Sequence, residues 1–174
     1  MPTALKEFVQ LLSCNALDES EQDDIVRQIV NAPDDPEFEW ADSPEQARLF
    51  ALTFALGEYM ATGDKLDELH EQVQRLFDDD FPEIPAPTLD DMENGGGAIA
   101  YFEWLETEFC QYSAEEGGYD LVELDMMGSD MNAIVVYRKD TPRVLELAKQ
   151  LDFKMQRPLD YFRDLLQPHR HQHA

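Results

Sequence analysis

After about residue 113 the spacing of apolar residues changes from a helical to a strand pattern, and that change constrains the fold class more than any other feature. Up to about residue 113, apolar residues recur every three or four positions, as on one face of an α-helix. Residues 119–125 and 132–137 instead form two short runs typical of strands, joined by the turn at 126–131. The pattern predicts a β-hairpin whose second strand, rich in β-branched residues, is central.

Helix-start signals divide the rest of the chain. Ser20, Ser43 and Asp64 each precede an apolar helical repeat, so each is predicted to cap a helix. The helix after Ser43 is expected to run to about residue 61 and to be the most buried, because it is apolar on most sides. Further elements are predicted as helices at 3–14, 98–113, 142–151 and from Pro158, and as a short strand at 153–156.

These elements predict one α+β domain over residues 1–174. An N-terminal helical layer is expected to pack on a small two- or three-stranded, mainly antiparallel sheet. The C-terminal part is expected to form a β-hairpin–α–β unit, with the helix at 142–151 crossing one face of the sheet. If the last strand paired parallel to its neighbour, that crossover would be right-handed.

Residues 78–97 interrupt the helical pattern. Three consecutive aspartates are followed by three prolines and then by Asn94 and three glycines. Prolines deny helix and ladder hydrogen bonds, and glycines remove stiffness, so this segment is predicted to be a flexible acidic connection. Residues 168–174 are expected to form a frayed tail.

The charge of the chain is both large and unevenly distributed. It has 38 acidic and 13 basic residues, a formal net charge of -25. Residues 1–137 carry 33 acids and 5 bases, whereas residues 138–174 carry 5 acids and 8 bases. Such charge disfavours direct binding to nucleic acid or to an anionic membrane, since both need positive charge at the contact. The basic C-terminal arm is expected to neutralise part of the acidity from within.

Other features of the chain predict a cytoplasmic protein. It has no apolar run long enough to span a bilayer, and its N-terminus has no signal-peptide pattern. Cys14 and Cys110 lie far apart in apolar, helix-like contexts, so we expect buried free thiols rather than a disulfide.

The acidic clusters are the only abundant functional chemistry. Asp78–Asp80 and the group Asp90, Asp91 and Glu93 could supply oxygen ligands to calcium or magnesium, but neither has EF-hand spacing. Consecutive acids point in different directions, which favours solvated loops over a metal site. The turn at 125–132 offers similarly weak ligand spacing.

No cofactor site is predicted. The stretch at 94–97 has neither phosphate-loop nor dinucleotide spacing, and the acids around it repel phosphate. His169, His171 and His173 could bind a transition metal adventitiously, and His70 is interpreted as a surface residue. Because no nucleophile–base pattern is evident, no catalytic residue is predicted and the sequence favours a non-enzymatic role.

The segment 101–109 alternates aromatic and acidic residues on a predicted helix. One face carries Phe102, Leu105 and Phe109. The other face, with Tyr101, Trp104 and Glu108, together with the nearby acids Asp90, Asp91 and Glu93, is a possible surface for a basic partner protein. The alternative is that both faces of the helix are buried.

The block Tyr119–Arg157 carries a resemblance to a known family. Its strand Gly-Tyr-Asp-Leu-Val-Glu-Leu-Asp, its second apolar strand and its helix Arg-Lys-Asp-Thr-Pro-Arg-Val-Leu-Glu-Leu-Ala resemble an uncharacterised bacterial family, described as a domain of unknown function. Members of that family are similarly small, acidic and soluble. The resemblance covers less than a quarter of the chain and includes no catalytic signature, so it supports the fold and implies no mechanism.

The leading hypothesis from the sequence is a non-enzymatic interaction protein of the bacterial cytoplasm, such as an inhibitor or immunity-like protein. Its acidic surface would bind a basic protein, because complementary charge raises association rate and selectivity. One alternative is a small carboxylate-based, metal-dependent enzyme or metal-binding protein. Another is a salt-adapted proteome, in which acidity only maintains solubility.

Overall fold

The computed structural model describes residues 1–167, so the predicted frayed tail at 168–174 lies outside the described residues. The chain is an α+β domain, as predicted. Its helices are α1 (Pro2–Leu12), α2 (Glu19–Asn31), α3 (Pro44–Ala55), α4 (Leu66–Leu76), α5 (Ala86–Asp91), α6 (Gly97–Phe109), α7 (Thr141–Gln150) and α8 (Pro158–Leu165). Its strands are β1 (Met60–Gly63), β2 (Tyr119–Leu124), β3 (Met131–Tyr137) and β4 (Met155–Gln156).

The four strands form one antiparallel sheet in the order β1-β3-β2-β4. The predicted hairpin is confirmed, with Tyr119 opposite Tyr137 and Val122 opposite Ile134. β3 is central, as its β-branched residues indicated. β4 pairs antiparallel to β2, so the condition for a right-handed parallel crossover does not arise.

The helices cover both faces of the sheet. On one face, Val122, Ile134 and Val136 pack in a core with residues of α1, α2, α3 and α7. On the other face, Leu121 and Ala133 pack with residues of α4, α6 and α8. The predicted N-terminal helical layer is present, and helices also cover the opposite face of the sheet. β2 and β3 are therefore apolar at successive positions, because both of their faces are buried.

Local hydrogen bonds decide where the helices begin. Ser43 caps α3 as predicted, since its hydroxyl accepts from the Gln46 N–H at 3.1 Å. The cap predicted at Ser20 is wrong: α2 is capped by Asp18, whose carboxylate accepts from the Glu21 N–H while the Glu21 carboxylate accepts from the Asp18 N–H. The cap predicted at Asp64 is also displaced, because α4 begins after Lys65 without a side-chain cap.

The segment 78–97 contains a helix, contrary to the expectation that its prolines exclude one. Pro85 lies at the N-cap of α5 and Pro87 in its first turn. Backbone N–H groups at these positions make no hydrogen bond within a helix, so a proline there removes none. A wide turn then leads into α6. In it Gly95 and Gly97 have φ angles of 105° and 50°, which residues with a side chain rarely adopt without strain. The flexibility of the segment stays a prediction.

The lengths of the helices and the burial of the cysteines test the expectations about membrane spans and free thiols. Among residues 1–167, every helix is too short or too polar to cross a bilayer. Both cysteines are free, but Cys14 is half-buried and Cys110 is exposed, whereas both were expected to be buried. The Cys14 thiol lies 3.5 Å from the carbonyl oxygen of Val135, and burial raises its pKa to about 11.

Candidate functional site

The second face of α6, which was predicted to bind a partner, is largely covered. Tyr101 is 0% exposed, so its assignment to a partner surface is wrong. Trp104 and Glu108 are half-buried, and the Trp104 ring packs 5.4 Å from the His70 ring, centroid to centroid. The physical reason is that α4 and the residues after it, including Phe81, pack against this face. The alternative, that both faces of the helix are buried, is therefore correct at Tyr101.

His70 is 3% exposed, so its interpretation as a surface residue is also wrong. Its Nε2 lies 2.9 Å from the carbonyl oxygen of Pro82, which can only accept, so Nε2 carries the proton. Nδ1 of the neutral ring therefore accepts from the Tyr101 hydroxyl at 3.0 Å. Burial lowers the pKa of His70, which favours this neutral form. The ring ties the chain at Pro82 to α4 and α6.

Two arginines of the C-terminal arm converge on Glu106 of α6. Its Oε1 lies 3.2 Å from Nη1 of Arg138 and 2.6 Å from Nη2 of Arg157. Burial alone would raise the pKa of Glu106, but the two guanidinium groups outweigh it and hold the pKa below its ordinary value. Arg157 also lies 3.0 Å from the buried carboxylate of Asp120, which accepts from the Thr141 hydroxyl at 2.9 Å.

Other basic residues of the arm pair with acids earlier in the chain. Five of the seven Lys and Arg residues at 138–167 make such pairs. Besides those on Glu106 and Asp120, the pairs are Lys139–Glu116, Arg143–Glu7 and Arg163–Glu103. The arm was expected to neutralise the connection at 78–97 and the helix at 98–113. This is confirmed for α6, but no acid of residues 78–93 has an ion pair among the described residues, and the arm instead also pairs with acids of β2 and α1.

Several stretches of acids remain after this pairing, and two of them contain the most acids. The first acidic segment (residues 34–45) has six acids, and the one ion pair seen for it within residues 1–167 joins Glu45 to Arg48 at 3.7 Å. The second acidic segment (residues 78–93) has seven acids, all exposed, with no ion pair among the described residues. It includes Asp90, Asp91 and Glu93, which lie on α5 and in the turn that follows. These three predicted residues are thus accessible, although the aromatic Tyr101 is not.

A cleft lies beside the first acidic segment. It has a volume of about 230 Å³ between the start of α3 and the ends of β2 and α7. Its wall is apolar at Leu49, Met126 and Phe153. Four acids, Asp42, Glu45, Asp125 and Asp152, line it against one base, Lys154, so its net charge is negative. Such a lining suits an alkyl chain that ends in a cation.

The described residues contain no group of three or more His, Cys, Asp or Glu side chains arranged to hold a metal ion. That finding covers the three candidates from the sequence, namely the acids at 78–80, those at 90–93 and the turn at 125–132. The predicted histidine ligands His169, His171 and His173 lie outside the described residues.

The most exposed aromatic side chains lie where the sequence analysis did not place them. Trp40 is 52% exposed and Phe54 is 67% exposed, although α3 was predicted to be the most buried helix. The sequence did contain a signal for this exposure: four aromatic residues, Phe38, Trp40, Phe50 and Phe54, lie close in the chain to six acids. It was missed because an apolar helix was equated with a buried one.

Comparisons of this chain with family models, with curated proteins and with solved structures found no match. The resemblance of Tyr119–Arg157 to a bacterial family therefore stays a prediction.

Proposed function

We propose that this chain is a non-enzymatic interaction protein whose acidic surface binds a basic partner protein. The observation that carries the proposal is the division of the acids into two groups. Glu103 and Glu106 on α6 and Asp120 on β2 are paired with arginines of the C-terminal arm, whereas the described structure gives the first and second acidic segments only one ion pair. Carboxylates without internal partners are free to meet a complementary charge.

The size of the charge supports a partner that is recognised electrostatically. Uncompensated carboxylates over two segments create a negative potential that attracts a basic surface before contact. Such attraction increases the association rate and disfavours acidic competitors more than it increases affinity. The cleft at the start of α3 adds a place where the alkyl stem of a lysine or arginine could pack while its cationic end meets a carboxylate.

Affinity capture from a lysate of the cells that encode this chain tests the proposal. The wild-type chain is expected to enrich a defined basic protein, and the yield is expected to fall as salt rises from about 50 mM to about 500 mM, because salt screens exposed charges. Two variants remove three charges each: Glu37→Gln, Glu39→Gln and Asp42→Asn in the first segment, and Asp90→Asn, Asp91→Asn and Glu93→Gln in the second.

A matched control removes the same charge elsewhere. The control carries Glu71→Gln, Asp130→Asn and Asp164→Asn, three substitutions at exposed positions outside both segments and outside the cleft. At least one segment variant is expected to lose the partner while this control retains it. Capture that is indifferent to salt, or equal loss in the control and in both segment variants, would contradict a role for these segments.

A further inference from the structure

Four aromatic side chains form a cluster at the surface between α2 and α3. We call Phe38, Trp40, Phe50 and Phe54 the aromatic patch. Ring centroids lie 4.7 Å apart for Trp40 and Phe50 and 5.7 Å apart for Phe38 and Phe54. Phe38 is buried and forms the floor, Phe50 is half-buried, and Trp40 and Phe54 are exposed. The patch therefore presents two rings to solvent on a packed base.

The polar group of Trp40 does not explain its exposure. Its indole N–H donates to the carbonyl oxygen of Glu37 at 2.7 Å, so the ring does not need water for a hydrogen bond. Phe54 has no polar atom at all. The hydrogen bond and the ring contacts also hold the patch in one arrangement, so a partner would meet a preformed surface.

The surroundings of the patch are acidic. Residues 28–47 contain no lysine or arginine and include all six acids of the first acidic segment. Glu37 and Glu39 are exposed and alternate in the chain with Phe38 and Trp40. An exposed apolar surface rimmed by charge of one sign is a mark of a protein interaction site.

Charge complementarity selects the occupant. A second copy of this chain would place the first acidic segment against itself in a symmetric interface, where like charges repel. A cationic segment instead finds carboxylates and aromatic faces together. Arginine fits better than lysine, because its planar guanidinium stacks on aromatic rings and pairs with carboxylates in a fork.

We propose that the aromatic patch is the docking site for an arginine-rich segment of the basic partner. This inference rests on the proposed function, since it names the contact through which a basic protein would be held. Trp40 and Phe54 supply the stacking surfaces, and the carboxylates of Glu37, Glu39 and Asp42 supply the counter-charge.

The test uses two labelled peptides, one with eight arginines separated by Gly-Ser pairs and one with lysines at the same positions. Binding is measured by fluorescence anisotropy on the wild type, on the double variant Trp40→Ala and Phe54→Ala, on the control Tyr161→Ala and Leu165→Ala, and on the Glu37/Glu39/Asp42 variant described above. The control removes two exposed apolar side chains from α8. Urea unfolding of each variant establishes that it is folded.

The wild type is expected to bind the arginine peptide at least about fivefold more tightly than the lysine peptide, because stacking adds to charge. The Trp40/Phe54 variant, which keeps every charge, is expected to lose about tenfold in affinity for the arginine peptide, as for an aromatic hot spot. The α8 control is expected to change affinity by less than about twofold.

Each opposing result identifies which proposal fails. Unchanged binding by the Trp40/Phe54 variant, with loss in the Glu37/Glu39/Asp42 variant, would overturn the inference and leave the proposed function standing. Equal affinity for the two peptides would also overturn it. If the wild type self-associates and the Trp40/Phe54 variant does not, the aromatic patch binds a second copy of this chain, and the inference is overturned. Absence of any binding to either peptide would count against the proposed function itself.

Discussion

At the scale of single residues, His70 and Tyr101 show how distant packing determines the role of a side chain. His70 lies on a helix with acidic neighbours, a pattern that is typical of a surface residue. Tyr101 alternates with acids on α6, a pattern equally compatible with an exposed face. Both side chains are buried because α4, α6 and the chain at Phe81 and Pro82 meet around them. These contacts join positions up to 31 residues apart, so local spacing could not reveal them.

The neutral form of His70 predicts a pH dependence of stability. Burial lowers its folded-state pKa below the ordinary value of about 6.5, so the unfolded chain takes up the proton first. Stability from this group is therefore complete above about pH 6.5 and is lost as the pH falls toward the folded-state pKa. The hydrogen bond to the Pro82 carbonyl and, to a smaller extent, the nearby Glu83 carboxylate oppose this lowering of the pKa.

Urea unfolding of the wild type and of His70→Gln at about pH 7.5 and about pH 5.5 measures this effect. The free energy of unfolding of the wild type is expected to fall relative to that of the variant, by at most about 1.4 kcal/mol, because pH 5.5 is only about one unit below the unfolded-state pKa. Carboxylates common to both proteins cancel in the comparison. Equal changes in the two proteins would show that His70 does not titrate differently on folding.

At the scale of elements, the sequence predicts best where local signals agree. The hairpin β2–β3 and α7 were predicted because a strand pattern, turn residues, a second strand pattern and a helix pattern follow one another within about thirty residues. β1 was missed because its four residues, Met60–Gly63, have little strand character and are held by pairing with β3 some seventy positions later. The cap of α2 was misplaced because Asp18 and Ser20 are both suitable, and the reciprocal bond with Glu21 decides between them.

The ion pairs of Arg157 join three elements, because Glu106 lies on α6, Asp120 on β2 and Arg157 immediately before α8. Arg157→Ala leaves the buried Asp120 carboxylate with only the Thr141 hydroxyl as a side-chain partner, and is expected to destabilise the fold by about 2–4 kcal/mol. Arg163→Ala removes a pair with Glu103 in which both side chains are about half exposed, and is expected to cost less than about 1 kcal/mol.

Thermal or urea unfolding of the two arginine variants supplies the comparison, with a double-mutant cycle between Arg157→Ala and Glu106→Gln to isolate the pair. If Arg157→Ala lowers the free energy of unfolding no more than Arg163→Ala does, the network on Glu106 and Asp120 does not hold α6, β2 and α8 together.

At the scale of the whole molecule, charge asymmetry is the feature that links sequence to proposed function. The sequence shows that residues 1–137 are acidic and that the C-terminal arm is basic. It does not show which acids the arm reaches, since that depends on how α7 and α8 return to the sheet. The structure pairs the arm with Glu7, Glu103, Glu106, Glu116 and Asp120, and leaves the first and second acidic segments to solvent. The candidate partner surface therefore moves from Tyr101 to the aromatic patch and its acids.

The salt dependence of association tests the central claim, that an acidic surface recruits a basic partner. In the Trp104→Phe variant Trp40 is the only tryptophan, so its emission reports binding directly. Stopped-flow mixing with the arginine peptide is expected to give an association rate constant that falls about tenfold or more between about 20 mM and about 300 mM NaCl. A rate constant and affinity that do not change over this range, or the absence of any binding, would contradict the claim.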